Sequence, residues 1–486
     1  YSCMTSASEF LSVSFYSSDI TGTTYQPSEI VLQCKKVFKN IIAYDKFDFD
    51  GKKESMYALR PAFDTVADMI GKGKKVPESL LEIFAQNPEY SAKLDSLINA
   101  KDKVPFKIFD KKNAEKLFGK NLNISASQLE KFNLCRFSYF CNYGLNVRER
   151  QRAEINPMQY GTIVHYILER FFGEYTKEEY LSLEEDKFQK IVCAYLSEYA
   201  VTYFGEEQLE SNSFTYRLKT ILDNVMYLMK HIMEELSQSE FFVADCELKI
   251  GEDIPSYTIV LPDGHKIAVC GSVDRVDIMQ RADITYLRII DYKTGTKQFK
   301  LSDILYGINL QMLLYLHSIE ASGGDKYGDI VPAGILYMPA TVPYISSDSL
   351  KSIDKLPDEL NKKLKMNGLL LKDTEIIHGM DKTDVATYIP VKIKAGEPVS
   401  STSLATLAEF GKIFKKVDML IAEMGKNIYN GNIEAKPLKG GHDSCEYCPY
   451  DSVCAYRQSN PITCFSVDNK TVIEEITNEI NGKEEE

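Results

Sequence analysis

The hydrophobic pattern of the chain changes its period several times, and its clearest feature is an alternating stretch between residues 265 and 293. Alternation of apolar and polar side chains is typical of β-strands, whereas a repeat of three to four residues is typical of helices. The core elements that this pattern predicts are a helix over residues 158–172, strands over 241–250, 265–279 and 284–293, a helix over 301–318 and a strand over 331–338.

The two central strands carry charged residues that point to chemistry. Asp274 lies in the first strand, and the second strand ends in Asp291, Tyr292 and Lys293. Side chains alternate between the faces of a strand, so Asp291 and Lys293 share one face, about 7 Å apart, and Tyr292 points to the other. If the strands pair through a polar turn near residues 280–283, Asp274 lies beside Asp291. Carboxylates suit Mg²⁺ or Mn²⁺, and a lysine beside such a metal suits phosphodiester hydrolysis.

Helical spacing dominates the regions on either side of these strands. It is clear over residues 56–70 and 80–100, over the acidic stretch 174–240 and over residues 403–427. Residues 340–400 are lysine-rich and loosely patterned. They form either a wall of a phosphate-binding groove or a solvated, partly mobile insertion.

Composition narrows the class of protein. The chain has 486 residues, of which 44% are hydrophobic and 26% are charged, as in a soluble protein of two or three domains. No apolar run approaches the ~20 residues of a membrane span, so we expect a cytoplasmic protein with no membrane partner. The net charge of −13 argues against a surface that is basic throughout, but it allows a local basic groove. The chain begins at Tyr1 without a signal pattern, which suggests a fragment of a longer polypeptide.

Three of the eleven cysteines have the spacing of a metal site. Cys445, Cys448 and Cys454 form a C-x2-C-x5-C motif among turn residues, and a cytosolic disulfide is not expected there. Zinc and a [4Fe–4S] cluster each require four protein ligands of this kind. A fourth ligand must therefore come from another part of the chain.

Other candidate residues lie on the helices and strand that precede the hairpin. Ser127 and Glu130 have the spacing of a capping box, and the helix that they begin carries Cys135 in the middle of its apolar face. His165 lies four residues after a glycine, on the same face of the next helix. Glu247 lies in the strand before the hairpin, where it either joins the acidic cluster or is a solvated strand residue.

Taken together, these motifs resemble the RecB-like branch of the PD-(D/E)XK nuclease superfamily over about residues 122–457. The resemblance implies an α/β fold with a restriction-endonuclease-like core, in which helices flank a central mixed sheet, and a mainly helical N-terminal portion. The motifs that carry it are GxxxH ending at His165, GxxDRxD over residues 271–277, DYKTG over residues 291–295, QxxxY formed by Gln311 and Tyr315, and one cysteine upstream of three others.

The resemblance also implies roles for individual residues. In this family a lysine orients the attacking water, and a glutamine and a tyrosine position the DNA strand. The expected Mg²⁺ or Mn²⁺ ligands are His165, Asp274, Asp291 and the backbone carbonyl of Tyr292; Lys293, Gln311 and Tyr315 complete the expected catalytic set.

The helix around Cys135 is similar to one in iron–sulfur nucleases, where a single upstream cysteine joins three downstream ones. This similarity implies a structural [4Fe–4S] cluster that closes a loop of roughly three hundred residues and cross-links the two ends of the domain. Arg136 stands where the family usually has proline. Cys141 is the fallback fourth ligand, and zinc is an alternative to iron. The expected cluster ligands are Cys135, Cys445, Cys448 and Cys454.

Within the superfamily the chain most resembles the C-terminal nuclease region of the AddB family, the B subunits of bacterial ATP-dependent helicase–nucleases. The resemblance implies a metal-dependent DNA exonuclease domain that works with an A subunit, processes double-strand break ends for recombinational repair and cuts the strand with a 5′ end. Residues 1–121 would be the remnant of a helicase-like region, 122–465 the nuclease domain and 466–486 an acidic, disordered tail. The alternatives are a free-standing CRISPR-associated single-strand exonuclease and an inactive DNA-binding module.

Overall fold

A computed structural model of the chain divides into two compact units, Tyr1–Val104 and Pro105–Glu486. The predicted division at residue 121 is therefore placed too late, because the segment before it packs in the second unit. The hydroxyl of Tyr429 donates to the carbonyls of Gly119 and Lys120. The helicase-like origin of residues 1–121 stays a prediction. The structure describes residues 7–15, 25–38, 41, 58–71, 74–99, 107–108, 110–148, 157–205, 211–295, 298–342, 356–400, 402–454, 456 and 461–484.

In the described residues, the first unit is helical, as the sequence predicts. Phe63 lies at the centre of its small core and packs against Phe84 and Tyr90, with ring centroids 5.1 and 4.9 Å away. The helix predicted over residues 80–100 is interrupted after Gln86, just before a proline, which cannot continue a helix. The helices are α1 (Glu29–Val37), α2 (Leu59–Gly71), α3 (Glu78–Gln86) and α4 (Ser91–Asn99).

The second unit is built on a six-stranded mixed sheet, which confirms the predicted α/β fold. The sheet has the order β11-β8-β7-β6-β5-β2, in which β6 and β7 are parallel and β5 is antiparallel to both β2 and β6. A smaller sheet has the order β1-β4-β3, and two strand pairs are separate. The strands are β1 (Asn121–Ile124), β2 (Phe242–Ile250), β3 (Thr258–Val260), β4 (Lys266–Val269), β5 (Gly271–Arg281), β6 (Ile284–Lys293), β7 (Asp329–Pro339), β8 (Asn367–Leu371), β9 (Lys392–Lys394), β10 (Glu397–Val399), β11 (Leu404–Ala405), β12 (Leu438–Gly440) and β13 (Ile462–Cys464).

The strand predicted over residues 265–279 is in fact two strands in different sheets. β4 pairs with β1 and β3, whereas β5 pairs with β2 and β6. Gly271 begins β5 at a point where a side chain has no room, since a Cβ atom there would lie 2.2 Å from the Tyr315 hydroxyl oxygen. The glycine thus lets the helix that carries Tyr315 approach the start of the strand.

The helices of the second unit cover both the predicted segments and some that the pattern missed. The helix expected over residues 301–318 is a 3₁₀ turn, Leu301–Tyr306, followed by a separate helix from Gln311. The helices are α5 (Lys111–Phe118), α6 (Ala126–Leu134), α7 (Arg136–Tyr139) with a π-helical turn (Phe140–Gly144), α8 (Pro157–Glu174), α9 (Lys177–Leu181), α10 (Glu185–Phe204), α11 (Asn212–Ser237), α12 (Gln311–Ser322), α13 (Gly324–Tyr327), α14 (Leu356–Leu364), α15 (Thr374–Met380), α16 (Leu407–Tyr429) and α17 (Asn469–Glu484).

The start of the second unit differs from the prediction in two ways. Ser125, not Ser127, caps α6 by accepting a hydrogen bond from the Gln128 amide. The Glu130 carboxylate instead accepts from the Leu310 amide, at the start of α12. The predicted continuous helix also breaks at Cys135, whose backbone is extended (φ −169°, ψ 119°). Cys135 is therefore a junction between two helices rather than the middle of one.

Two segments that looked loose in the sequence are packed against the core. Residues 367–371 form β8, which pairs with β7 in the central sheet, so this part of the lysine-rich region is not a solvated insertion. The predicted disordered tail is wrong over residues 469–484, where α17 forms and Val472 and Ile476 are fully buried. Regular apolar spacing over these positions gives the helix a buried face despite its acidic composition. In the part of the chain that the structure describes, no helix is long and apolar enough to cross a bilayer.

Candidate active site

The β5–β6 hairpin brings the predicted carboxylates together. Arg275 pairs with Ile290, so Asp274 and Asp291 are the next residues along the two strands. The Tyr292 amide donates to Asp274 Oδ2 at 2.9 Å, which holds this carboxylate against the end of β6. The side chains of Asp274 and Asp291 are 11% and 3% exposed. Two nearly buried carboxylates in one place are costly unless a cation or a proton neutralises them.

Lys293 supplies one positive charge to this patch. Its Nζ lies 2.6 Å from Asp291 Oδ2, as expected for two residues on the same strand face. The Lys293 side chain is 26% exposed, so its ammonium reaches both the buried carboxylate and the solvent. Tyr292 points away from Lys293, and its hydroxyl accepts a hydrogen bond from buried Arg275 at 3.2 Å.

Helix α8 places His165 at the same end of the sheet. Its Nε2 lies 3.6 Å from Asp274 Oδ2, and its Nδ1 lies 2.9 Å from Glu247 Oε1. Glu247, on β2, also accepts a hydrogen bond from the Ser272 hydroxyl at 2.8 Å. The sequence left the role of Glu247 open, and the structure places it inside the cluster. Its backbone is left-handed (φ 49°), a strained conformation often found at functional sites.

Three of these side chains have the geometry of a cation site. Ligand atoms of His165, Glu247 and Asp274 all lie within 4.8 Å of one another. Oxygen and imidazole ligands together suit a divalent cation such as Mg²⁺ or Mn²⁺. A histidine whose second ring nitrogen is held by a carboxylate is the usual arrangement at metal centres. The donor set therefore fits a divalent cation.

The pKa shifts at the site reflect this accumulation of negative charge. Burial and then the neighbouring Asp291 raise the pKa of Asp274 to about 7. Burial alone would lower the pKa of His165, but its hydrogen bond to Glu247 and the surrounding carboxylates raise it. Burial opposes ionisation of Glu247, yet hydrogen bonds from His165 and Ser272 lower its pKa. The cation-free site thus retains protons that a bound cation must displace.

Affinity for a divalent cation is expected to fall as the pH falls below about 7, the pKa of Asp274. A raised folded-state pKa means that the carboxyl holds its proton up to this pH, and His165 also charges more easily there. Below the pKa the loss should approach about tenfold per pH unit. Mn²⁺ titrations at about pH 8 and about pH 6 measure this loss of affinity. Equal affinity at both would contradict the prediction; Asp274→Asn should bind weakly at both.

The two remaining predicted residues lie on α12. Tyr315 is buried, its hydroxyl lies against Gly271, and burial raises its pKa to about 12. Gln311 is the first residue of the helix, and its amide donates to Glu130 at 3.3 Å. Tyr315 thus reaches the start of β5, three residues before Asp274. The role of Gln311, like that of the Tyr292 carbonyl as a ligand, stays a prediction.

A buried network of charges that the sequence analysis missed lies on the side of the hairpin to which Tyr292 points. The carboxylate of Asp277 is 2.9 Å from Arg275 Nε and 2.9 Å from Arg288 Nη2. Glu235, on α11, contacts the same two arginines at 3.2 and 2.6 Å. All four side chains are fully buried. The signal available in the sequence was charge within mostly apolar strands: Arg275 and Asp277 at alternate positions of β5, and Arg288 in the middle of β6.

The cysteines predicted to share one metal centre lie close together in the structure, although Cys135 is about three hundred residues before the other three in the sequence. Cys135 and Cys141 are buried in an apolar cluster that also includes Cys448 and Cys454. Cys445 interacts electrostatically with Cys454 and contacts Lys439. The structure thus brings together the predicted upstream cysteine, its fallback and the downstream motif.

Comparison with known proteins identifies relatives of this chain. Residues 123–455 match the family model of the PD-(D/E)XK nuclease superfamily. The chain is 31% identical over 481 residues to the B subunit of the ATP-dependent helicase/deoxyribonuclease of Thermoanaerobacter sp. (strain X514), an alignment that covers 94% of this chain and 41% of that protein.

Two further relatives carry the same description. The protein from Clostridium botulinum (strain Loch Maree / Type A3) is 33% identical over 481 residues, covering 94% of this chain and 42% of the relative. The protein from Ruminiclostridium cellulolyticum is 32% identical over 491 residues, covering 96% and 42%. The chain therefore spans about two fifths of the length of these curated relatives.

Proposed function

Because the chain belongs to the PD-(D/E)XK nuclease superfamily, we propose that it is the metal-dependent DNA exonuclease domain of a helicase–nuclease B subunit. The observation that carries the proposal is the meeting of Asp274, Asp291 and Lys293 with His165 at one end of the central sheet. This set combines cation ligands with one ammonium group, which suits hydrolysis of a phosphodiester.

The names of the relatives support the biological setting of this activity. Each relative is described as the B subunit of an ATP-dependent helicase/deoxyribonuclease, which implies a partner A subunit and a DNA substrate. We propose that the domain processes double-strand break ends for recombinational repair, and that it acts on the strand presented with a 5′ end.

His165, Asp274 and Asp291, with the Tyr292 carbonyl, would hold Mg²⁺ or Mn²⁺. When bound, the cation lowers the pKa of water and neutralises charge at the phosphate. Glu247 holds Nδ1 of His165 at 2.9 Å, which orients the ring and leaves Nε2 facing Asp274.

Lys293 supplies the ammonium group of this set. Its ammonium lies 2.6 Å from Asp291, at the boundary between the buried carboxylate and solvent, where a phosphate and its attacking water must meet. There it would orient the water and stabilise the negative charge that develops on the phosphate. Gln311 and Tyr315 would position the DNA strand from α12.

The thiols fit an iron–sulfur cluster better than zinc. Tetrahedral zinc, with bonds of about 2.3 Å to sulfur, requires thiolates that are about 4 Å apart. Among the described residues, the only group of three or more ligand atoms that all lie within 4.8 Å of one another is that of His165, Glu247 and Asp274, so no three cysteine sulfurs are this close together. We therefore propose that Cys135 and the downstream motif hold a structural [4Fe–4S] cluster.

Degradation of end-labelled single-stranded DNA in Mg²⁺ by anaerobically purified protein tests the proposed activity. We expect cleavage by the wild-type chain, loss of cleavage by Asp291→Ala and full activity of Asp283→Ala, an exposed aspartate in the turn of the same hairpin. If neither the chain nor its complex with an A subunit cleaved DNA while both still bound it, the alternative of an inactive DNA-binding module would replace this proposal.

A further inference from the structure

The thiols near the downstream motif are more numerous than one cluster needs. The apolar cluster that we call the thiol pocket contains Cys135, Cys141, Cys448 and Cys454, together with Phe137 and Tyr450. Cys141 is 4% exposed and Cys135 is 9% exposed. Burial raises the pKa of the Cys141 thiol, and interactions with Cys454, Cys448 and Cys135 raise it further, which places all four sulfurs in one neighbourhood.

Cys445 lies at the edge of this arrangement. In the described part of the chain it is not among the residues packed into the thiol pocket. Its thiol interacts with the Lys439 ammonium, whose own main partner is Asp443 at 2.6 Å. Its amide donates to Asp443 at 2.8 Å. Of the three downstream cysteines, Cys445 is therefore the one that lies outside the thiol pocket, with Lys439 and Asp443 as neighbours besides Cys454.

The segment that carries Cys141 is hydrogen-bonded to the downstream loop. Cys141 lies in a π-helical turn, Phe140–Gly144, a rare element that is common at functional sites. The Tyr450 hydroxyl donates to the Val147 carbonyl at 2.7 Å and lies 3.3 Å from the Asn142 side chain. Tyr450 lies between Cys448 and Cys454 in the sequence, so its hydrogen bonds hold the segment of Cys141 beside both of them.

We propose that Cys141 is an alternate cluster ligand, and that it can take the place of Cys445. This inference rests on the proposed iron–sulfur site. Cys135, Cys448 and Cys454 are common to both ligand sets, and the fourth position is taken by Cys445 or by Cys141. Exchange needs no change of iron oxidation state, because the incoming thiol loses one proton and the departing thiolate gains one.

Iron and acid-labile sulfide contents of anaerobically purified variants test this exchange. Cys445→Ser and Cys141→Ser should each keep most of the wild-type iron, because the other thiol fills the fourth position. The double variant should contain at least about tenfold less iron than wild type. The matched control Cys448→Ser, which removes a shared ligand, should show the same loss. EPR spectra of the reduced proteins should differ between Cys445→Ser and wild type, since the fourth ligand is a different cysteine.

Three outcomes would overturn the inference. Cys445→Ser that is as poor in iron as Cys448→Ser would show that Cys141 cannot replace Cys445. A double variant as rich in iron as Cys445→Ser would show that Cys141 is not the replacement. If wild-type protein contained zinc and no iron, the proposed iron–sulfur cluster and the ligand exchange would both be wrong. DNA cleavage by that same protein would leave the nuclease proposal intact. Far-UV circular dichroism and Mn²⁺ binding at the His165 site confirm that each variant is folded.

Discussion

Replacing Lys293 with methionine is expected to reduce DNA cleavage by about a thousandfold while leaving divalent-cation binding intact. Methionine keeps much of the aliphatic stem of lysine but removes the ammonium group that lies 2.6 Å from Asp291. The ionic neighbour of Asp274 is instead the imidazole of His165, at 3.6 Å. The variant therefore loses the charge that would stabilise the transition state without losing a metal ligand.

Cation binding separates this effect from damage to the site. Removing the ammonium removes a competitor for Asp291, so Mn²⁺ should bind to Lys293→Met at least as tightly as to wild type. Asp291→Asn should lose both binding and cleavage, because it removes a proposed ligand. Single-turnover cleavage and Mn²⁺ titration measure the two quantities. The matched control is Lys470→Met, which changes an exposed lysine on α17, outside the lysine-rich segment.

Retention of more than about a tenth of the wild-type rate by Lys293→Met would contradict the assigned role. Loss of both Mn²⁺ binding and cleavage would also contradict it, because it would make Lys293 a structural partner of Asp291. Together, the two variants therefore distinguish a catalytic ammonium from one that only neutralises a buried carboxylate.

The sequence predicted the hairpin well because local rules determine it. Alternation defines both strands, and a short polar turn sets their register, so the proximity of Asp274 and Asp291 follows from spacing alone. The position of His165 does not follow in this way. Its helix is separated from the hairpin by about a hundred residues, and only the family resemblance related the two before the structure was known.

The errors arose where distant contacts override local preference. Glu130 has the spacing of a local helix cap, but it satisfies the amide of Leu310, which is 180 residues away. Cys135 fits an apolar helix face by periodicity, yet its backbone is extended where the chain turns toward the thiol pocket. The acidic C-terminal segment forms a helix because the core provides a partner for its apolar face. Single-sequence periodicity has no access to such partners.

The buried charge network gives the second large effect: Asp277→Asn is expected to destabilise the protein by about 3–5 kcal/mol. Asp277 and Glu235 balance Arg275 and Arg288, and all four side chains are inaccessible to solvent. Asparagine is nearly isosteric, but it leaves two buried guanidinium groups with one carboxylate. Water cannot compensate for the missing charge, and salt screens a buried pair only weakly, so the loss should persist at high ionic strength.

Urea denaturation followed by circular dichroism measures this loss, with Asp283→Asn as the matched control. Asp283 is exposed in the turn that joins the same two strands, so its variant should unfold at the wild-type urea concentration. Adding Arg288→Met to Asp277→Asn restores charge balance, since Arg275 and Glu235 remain as a pair, and should recover part of the stability. A loss below about 1 kcal/mol for Asp277→Asn, or no recovery in the double variant, would mean that packing rather than charge balance holds this side of the hairpin.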